Sequence, residues 1–460
     1  MRRHESYTWR MNAPDLTTPL LDPPVALPPE PVVGDIETFL QEIVCTLRPE
    51  EEEPCGAGCP RVLPALCLWA GLLVCVVRGF SSQLALWRLL SVHGLWHYPR
   101  FAVSDQAIYK RLSQAGSEPL VVLFEQVRRV LAARLAPFQA TEVAPFAVEV
   151  LALDETTLDQ VARSLPILRA VPSGDRRLLP GKLAGLFDLR RQHWHAVQYV
   201  TDSQQNEKVA APALLRHAPP GSLLVMDLGY FSFAWFDHLT DQGYFWVSRL
   251  RQKTSYTVLH TYYQDATTFD GVVWLGAHRA DRAGHAVRLV SFQVDGSSYR
   301  YLTNVRDPQQ LSLYALAGLY QRRWDIELAV KLVKRHLKLH LLWSSKVEVV
   351  QLQVWAVLIV AQILHALQVE IARRAGVELF DVSLALLVEY LPHYAAQGMD
   401  PVAAFVEHGV AARFIRPSSR TPNRAPQIAS HLLLPLPPDL VLERPPRYAQ
   451  RKCQRRVESN

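Results

Sequence analysis

Cysteine is scarce in this sequence, whose 460 residues include only six. They are Cys45, Cys55, Cys59, Cys67, Cys75 and Cys453. So few cysteines in so long a chain do not form a disulfide framework, which favours a reducing compartment. Cys55 and Cys59 have the spacing of half a zinc site, but no second Cys/His pair follows at zinc-finger spacing. The pattern excludes a disulfide-rich secreted scaffold and disfavours structural zinc.

Long uninterrupted apolar runs are also missing. The N-terminus is polar and then proline-rich, without the apolar core of a signal peptide, so we expect a flexible leader over 1–35. The apolar stretch 62–77 is short for a membrane span and contains Pro64. The stretch 347–369 is long enough, but Glu348, several glutamines and His365 interrupt it. We predict two buried core helices and no membrane partner.

A strong charge of one sign is absent as well, since the net charge is +6 and the pI is near 9.0. This mild excess permits a polyanionic partner without requiring one. The segment 413–456 contains ten Arg or Lys residues, and its only acidic residues are Asp439 and Glu443. That segment fits a solvated tail as well as a nucleic-acid contact. Half of the chain is hydrophobic, which indicates a globular protein of two or three domains.

Helical signals dominate from Ile36 to about Phe138. Within this block, VSDQAIYKRLSQAG offers Ser104 as an N-cap and Gly116 as a stop. The predicted helix carries Tyr109, Lys110 and Arg111 close together. A basic helix in a small helical domain fits DNA binding. An ordinary amphipathic helix explains the same residues.

The next block alternates strand and helix patterns. FAVEVLALDETTLD predicts a strand that runs into Asp154, and the stretch 183–200 predicts a hairpin. The pattern after the hairpin predicts a helix, a short strand that ends at Asp227, another helix and a last strand. We therefore predict a mixed sheet with Asp154 and Asp227 at one edge, where the carboxyl ends of strands gather. Two such carboxylates repel unless a cation lies between them, and Mg²⁺ or Mn²⁺ suits their oxygens.

Polar side chains recur at steps of three and four along YQRRWDIELAVKLVKRHLKL. On one predicted helix they form a stripe of Tyr320, Arg323, Glu327, Lys331, Lys334 and Lys338. The opposite side is apolar, and Trp324 at the border is interpreted as structural. A solvated helix face with i,i+4 ion pairs is the alternative for this helix alone.

Two strand-end aspartates followed by a glutamate on a later helix resemble the RNase H-like fold of the DDE transposases. The spacing Y-x2-R-x3-E-x6-K resembles the signature of bacterial insertion-sequence transposases that cut and paste DNA through hairpins, and here it comprises Tyr320, Arg323, Glu327 and Lys334. LDETTLD and VMDLGYFS resemble the two aspartate motifs of that family. One departure is Leu228, where many members carry Arg after the second aspartate.

The resemblance implies a catalytic and metal-binding triad of Asp154, Asp227 and Glu327. It would hold two Mg²⁺ ions, which Mn²⁺ can replace, for hydrolysis and transesterification of DNA phosphodiesters. The substrates implied are the terminal inverted repeats of a transposon and target DNA. The resemblance further implies a homodimer on paired ends, in the cytoplasm of a bacterium and on the nucleoid when bound.

The same resemblance assigns DNA contacts to the rest of the stripe. Arg323 can grip a phosphate in bidentate fashion and Lys334 supplies a point charge, while Tyr320 supports the strand that bends in the hairpin. Lys331 is interpreted as a general phosphate contact. In the helical domain, Lys110 and Arg111 are further candidate DNA contacts.

These observations predict four parts along the chain. They are a Pro-rich leader over 1–35, a helical DNA-binding domain over 36–145, an RNase H-like catalytic domain over 146–372 with a β-rich insertion at about 250–305, and a helical, then basic Pro/Arg-rich region over 373–460. Two other functions stay open. One is an RNase H-like nuclease without strand transfer, and the other is a catalytically inactive protein that binds transposon ends.

Overall fold

The computed structural model describes residues 31–47, 62–158, 170, 181–203, 205–276, 281–344 and 346–447. Most of the predicted leader, the Cys55–Cys59 pair, Cys453 and the basic residues after position 447 lie outside these ranges. The predictions made for those segments therefore stay predictions.

Five helices form the N-terminal part. They are α1 (Ile36–Cys45), α2 (Ala65–Val77), α3 (Gln83–Arg88), α4 (Asp105–Gln114) and α5 (Glu118–Arg134). The side chain of Ser104 accepts a hydrogen bond from the Ala107 amide, so it caps α4 as predicted. Apolar side chains of α2 are buried nearly all round, which explains why this helix lies inside the helical layer and not on its surface.

In the described residues that follow, nine strands form one mixed sheet. Its strands are β1 (Val150–Thr157), β2 (Lys182–Asp188), β3 (His193–Val200), β4 (Leu223–Met226), β5 (Phe245–Arg249), β6 (Tyr256–Gln264), β7 (Thr268–Leu275), β8 (Val287–Val294) and β9 (Ser297–Thr303). Their order is β3-β2-β1-β4-β5-β9-β8-β7-β6. The pairs β1–β2 and β2–β3 are antiparallel, whereas β1–β4 and β4–β5 are parallel. The predicted hairpin, mixed sheet and neighbouring first and fourth strands are confirmed.

Two short helices make the parallel crossovers. They are α6 (Glu207–Leu215), between β3 and β4, and α7 (Phe233–Asp241), between β4 and β5. The sequence predicted a helix at each place, and a helix there is what a parallel neighbour requires. Apolar side chains of both helices pack with those of the sheet in one buried cluster.

The β-rich segment predicted at about 250–305 forms β6 to β9. It is joined to the rest of the sheet by antiparallel pairing of β9 with β5, for example Val247 opposite Thr303. Inside it, Arg288 and Asp270 form a bidentate ion pair with both side chains almost fully buried. The segment therefore extends the central sheet instead of folding as a separate domain.

The remaining helices carry the stripe and the C-terminal region. They are α8 (Leu313–Gln321), α9 (Trp324–Lys331), a π-helical turn (Leu332–His336), α10 (Val347–Ala375), α11 (Leu384–Gln397) and α12 (Pro401–His408). Among the residues in the described ranges, α10 alone is long and apolar enough to cross a membrane. Its side chains from Leu352 to Ala372 are buried within the protein, as expected of a core helix.

Residues 415–447, called the C-terminal strap below, run along the outside of the protein. Leu433, Leu436 and Leu442 pack on the insertion. The amide of Leu434 donates to the Tyr262 carbonyl at 2.9 Å. The basic C-terminal segment is therefore attached to the fold as far as residue 447, whereas the sequence also allowed a solvated tail there.

Candidate active site

Asp154 and Asp227 come together through the parallel pairing of β1 with β4. In that register Leu153 lies opposite Met226, and each aspartate is the next residue on its strand. Asp227 follows the end of β4, and its Oδ1 accepts a hydrogen bond from the Gly229 amide at 2.8 Å. Pairing of apolar strand residues thus places two carboxylates side by side.

The setting of Asp154 differs from the prediction in one respect. The sequence placed it at the end of its strand, but β1 continues to Thr157 and Asp154 still pairs with Gly185 of β2. The difference arises because β1 continues to pair with β2 on one side as far as Thr157, whereas its pairing with β4 on the other side ends at Leu153. Asp154 therefore pairs with β2 alone, just beyond the last residue pair between β1 and β4.

The predicted continuous helix of the stripe is broken. Helix α8 ends at Gln321, α9 begins at Trp324, and the π-helical turn follows at Leu332. Tyr320 lies before the break, and its side chain is buried to 7% exposure, with its ring centroid 4.8 Å from that of Tyr301. Trp324, interpreted as structural, is instead 56% exposed.

Arg323 joins Glu327 to Asp154. Its Nη2 donates to Glu327 Oε1 at 2.6 Å, and its Nη1 lies 3.5 Å from Asp154 Oδ2. The Glu327 side chain is 35% exposed, against 21% for Asp154. One guanidinium therefore sits between two of the three candidate ligands, so Arg323 now acts as their counter-ion.

The electrostatics of this site disfavour a charged Asp154. Burial raises the pKa of its carboxyl to about 7, the nearby Arg323 opposes the rise, and the charges of Asp227 and Glu327 add to it. The phenol of Tyr230 is buried nearby and finds no hydrogen-bond partner in the part of the chain that is described. Burial and four neighbouring carboxylates raise the pKa of Tyr230 well above its ordinary value. The site holds more negative charge than its own cations neutralise.

Lys334 reaches the end of β1. Its Nζ donates to Thr156 Oγ1 at 2.7 Å and also to the Thr157 carbonyl. This contact brings the fourth residue of the predicted signature to the strand that carries Asp154. Tyr320 is the least exposed residue of the set, and burial raises the pKa of its phenol.

The other candidate DNA contacts lie on helices α9 and α4. Lys331 on α9 and Lys110 on α4 are exposed, and Arg111 is half-buried. The Lys338 ammonium donates to the Gly79 carbonyl at 3.1 Å, which joins the end of the stripe to the helical domain. The Lys346 ammonium lies 5.0 Å from the centroid of the Tyr109 ring on α4. Both contacts join the segment that follows α9 to the helical domain.

Two features near the site were not predicted. A cavity of about 370 Å³ adjoins the end of β1, with Glu155, Lys182 and Glu207 in its lining. Glu155 is buried and paired with Lys182 at 2.9 Å. The second feature is the buried carboxylate of Asp325, which binds Arg322 and Arg420. The i,i+3 spacing of Arg322 and Asp325 signals their ion pair, whereas nothing local in the sequence signals the pair of Arg420 with Asp325.

The donor set suits a hard divalent cation. Carboxylate oxygens are the ligands that Mg²⁺ and Mn²⁺ prefer. Burial and, to a smaller extent, the charges of Asp227 and Glu327 raise the pKa of Asp154, so a cation beside it would favour the charged carboxylate. Across the residues that the structure describes, no three His, Cys, Asp or Glu side chains are yet arranged to hold a metal. Glu327 is held by Arg323, so this contact would have to open for all three acids to share one ion.

Residues 150–363 match the family model described as the transposase DDE domain. This segment is a little under half of the chain and contains Asp154, Asp227 and Glu327. The match shows similarity to the transposase DDE domain over this segment. The four-residue signature stays a prediction.

Two relatives share this similarity. A Sinorhizobium fredii protein, provisionally named transposase y4zB, is 25% identical over 174 residues, covering 36% of this chain and 48% of that protein. A Synechocystis sp. protein, provisionally named as the transposase for insertion sequence element IS4SA, is 33% identical over 98 residues, covering 20% and 28%. The chain thus spans about half or less of these relatives. A piggyBac transposase synaptic complex with hairpin DNA, solved by cryo-EM, gives a TM-score of 0.37 at 8% identity, covering 87% of this chain and 84% of that chain.

Proposed function

We propose that this protein is a DNA transposase that moves an insertion sequence by cut-and-paste, through metal-dependent hydrolysis and transesterification of DNA phosphodiesters. The observation that carries the proposal is the parallel pairing of β1 with β4, which brings Asp154 and Asp227 close together, with Glu327 linked to Asp154 through Arg323. The transposase domain match over 150–363 supports the reaction class. The mixed sheet around β1 supports an RNase H-like core.

In this proposal Asp154, Asp227 and Glu327 are the metal ligands. DDE transposase domains generally use divalent ions, and bound Mg²⁺ or Mn²⁺, two per site, would supply positive charge at the attacking and leaving oxygens of the phosphodiester. Cation binding would remove the need for Arg323 as a counter-ion to Asp154 and Glu327. Its guanidinium would then be available for a DNA phosphate beside the reacting bond.

Tyr320 and Lys334 would complete the phosphate-binding surface. The raised pKa of Tyr320 keeps its phenol neutral at physiological pH, so it can donate a hydrogen bond to a phosphate oxygen. Lys334 would place its charge at the end of β1, where it already contacts Thr156. A hairpin intermediate is part of the proposal, because these residues match the signature of hairpin-forming transposases.

The DNA would be the two transposon ends, followed by target DNA. Lys331, Lys110 and Arg111 are proposed as further contacts to its backbone, which a protein that neutralises phosphates binds in a salt-dependent way. A homodimer on paired ends and an intracellular bacterial setting, on the nucleoid when bound, belong to the same proposal.

The test compares the native protein with Glu327→Ala on DNA that carries the coding sequence and its native flanks. With Mg²⁺ or Mn²⁺, we expect cuts at the two flanks and hairpin-capped fragments on a denaturing gel. Both should be lost in Glu327→Ala, while DNA affinity changes little. Glu389→Ala, which removes an exposed carboxylate on α11, is the matched control and should cut normally.

Three other outcomes would contradict the proposal. Cuts scattered without regard to the flanks would favour an RNase H-like nuclease without strand transfer. Binding to the flanks without cutting by either protein would favour an inactive end-binding protein. Equal cutting by the native protein and Glu327→Ala would remove Glu327 from the active site.

A further inference from the structure

The buried carboxylate of Asp325 is where three parts of the chain meet. It is 1% exposed and lies in the first turn of α9, two residues from both Arg323 and Glu327. Its oxygens accept hydrogen bonds from Gln192 Nε2 at 2.9 Å and Arg322 Nε at 3.1 Å. Gln192 belongs to the turn between β2 and β3. Asp325 therefore fixes the start of α9 against the central sheet.

The third partner comes from the C-terminal strap. Arg420 Nη2 donates to Asp325 Oδ1 at 2.7 Å. The guanidinium of Arg420 also lies 3.9 Å from the centroid of the Phe380 ring. On either side the strap is held by backbone and side-chain bonds, from the Ser418 amide to Asp381 Oδ1 and from Asn423 Nδ2 to the Tyr314 carbonyl. Arg420 is therefore presented to Asp325 by an anchored segment.

Helix α9 needs such support because its own start is weak. It has only eight residues, and no side chain caps its N-terminus at Arg323. Short helices gain little from their own hydrogen bonds and depend on tertiary contacts. The bonds to Asp325 provide those contacts at the turn that carries the Arg323–Glu327 pair.

We infer that Arg420 is a positioning residue for the candidate active site, acting through Asp325 to hold α9 in the register that directs Glu327 toward Asp154. The catalytic part of this inference rests on the proposed function. The structural part does not, since it concerns only the local stability of α9. A role of this kind gives the C-terminal strap a function that its basic composition does not suggest.

The first test is amide hydrogen exchange on the full-length protein without DNA or metal. Arg420→Ala should speed exchange over 324–331 by about tenfold, because the local opening of α9 loses a stabilising contact. Arg424→Ala is the matched control, since Arg424 lies on the same strap but pairs with the exposed Asp295. It should leave exchange in α9 unchanged. Arg420→Lys keeps the charge without the planar group and should give an intermediate rate.

Equal exchange over 324–331 in the native protein and Arg420→Ala would overturn the inference. So would an increase of the same size throughout the chain, which would indicate general destabilisation. If Arg420→Ala does not fold, Arg420→Gln decides, because native-like exchange in that variant, whose side chain carries no charge, would contradict the role of the Arg420–Asp325 ion pair.

The second test measures single-turnover cleavage at saturating DNA. Arg420→Ala should lower the rate about tenfold with little change in DNA affinity, and its effect should not add to that of Asp325→Asn, because both act through one contact. Additive effects, or a native rate in Arg420→Ala, would overturn the positioning role. If the native protein does not cleave at all, the proposed function fails, and hydrogen exchange still decides whether Arg420 holds α9.

Discussion

Two arginines of this protein meet carboxylates in opposite ways. Arg288 in the insertion is fully buried and makes a bidentate pair with Asp270, at 2.7 and 2.6 Å, while its remaining Nη1 donates to the Leu311 carbonyl. Arg323 in the candidate site is shared between Glu327, at 2.6 Å, and Asp154, at 3.5 Å. The first arginine has one well-matched partner, whereas the second divides its charge between two acids.

This difference separates a structural ion pair from a candidate functional one. Around Arg288 the charges balance, and breaking the pair would leave an uncompensated buried charge. Around Arg323 the acids outnumber the nearby cation, and the pKa of Asp154 is raised as a result of burial and of its acidic neighbours. A site that is unbalanced in this way is stabilised by a bound cation. Burial and charge pairing thus stabilise the fold around Arg288, whereas around Arg323 they leave acidic groups that a cation could bind.

The largest effect is expected from breaking the structural pair. Asp270→Ala should lower the free energy of unfolding by about 3–5 kcal/mol, because it strands the buried guanidinium of Arg288. Urea unfolding followed by circular dichroism would measure the change. The matched control, Arg424→Ala, removes the exposed partner of Asp295 and should alter stability by about 0.5 kcal/mol or less. Similar losses for both variants would contradict the distinction.

A smaller effect is expected on cation binding at the candidate site. Because protons compete with the metal for Asp154, whose pKa is raised to about 7, Mn²⁺ affinity should fall by roughly tenfold per pH unit below that value. Titration calorimetry between pH 5.5 and 8 would test this dependence. Asp154→Asn should bind weakly and with little dependence on pH. Equal Mn²⁺ affinity of the native protein at pH 6 and pH 8 would count against Asp154 as a ligand.

The smallest effect is a gain in stability. The folded pKa of Asp154, about 7, lies above the ordinary value of 3.8, so the folded state binds this proton more tightly than the unfolded state. Stability of the metal-free protein should therefore decrease as pH rises from about 4 to 7. Asp154→Asn removes the charge and should raise the free energy of unfolding at pH 8 by about 1 kcal/mol.

The gain should shrink as the pH falls from about 7 toward 3.8, and it should vanish only below 3.8, where the native carboxyl is protonated in both the folded and the unfolded state. Thermal unfolding of the two proteins without metal, at pH 4.5 and pH 8, would measure it. A variant that is less stable than the native protein at pH 8 would show that Asp154 is not under electrostatic strain.

Local sequence patterns predicted much of the central sheet. Alternating apolar residues and turn signals gave the hairpin of β2 and β3, and the intervening helical segments gave the parallel crossovers to β4 and β5. The neighbouring positions of Asp154 and Asp227 followed from these two rules. Such features depend on residues close together in sequence, or on the geometry that a crossover imposes.

Other features depend on contacts that no local pattern carries. The periodicity predicted one helix through the stripe, but a break after Gln321 and a π-helical turn at Leu332 changed which side chains face the site. The bond from Arg420 to Asp325 spans 95 residues of sequence. The roles of the triad and of the DNA contacts remain predictions, since geometry shows proximity but not reaction.

The pairing of β5 with β9 has a consequence for synthesis of the protein. Strand β5 is complete at Arg249, but its second neighbour ends only at Thr303. A chain emerging from the ribosome must therefore carry β5 as an open sheet edge until the whole insertion has been made. Unpaired edges attract strands of other molecules, so this interval is when the nascent chain is most exposed to aggregation.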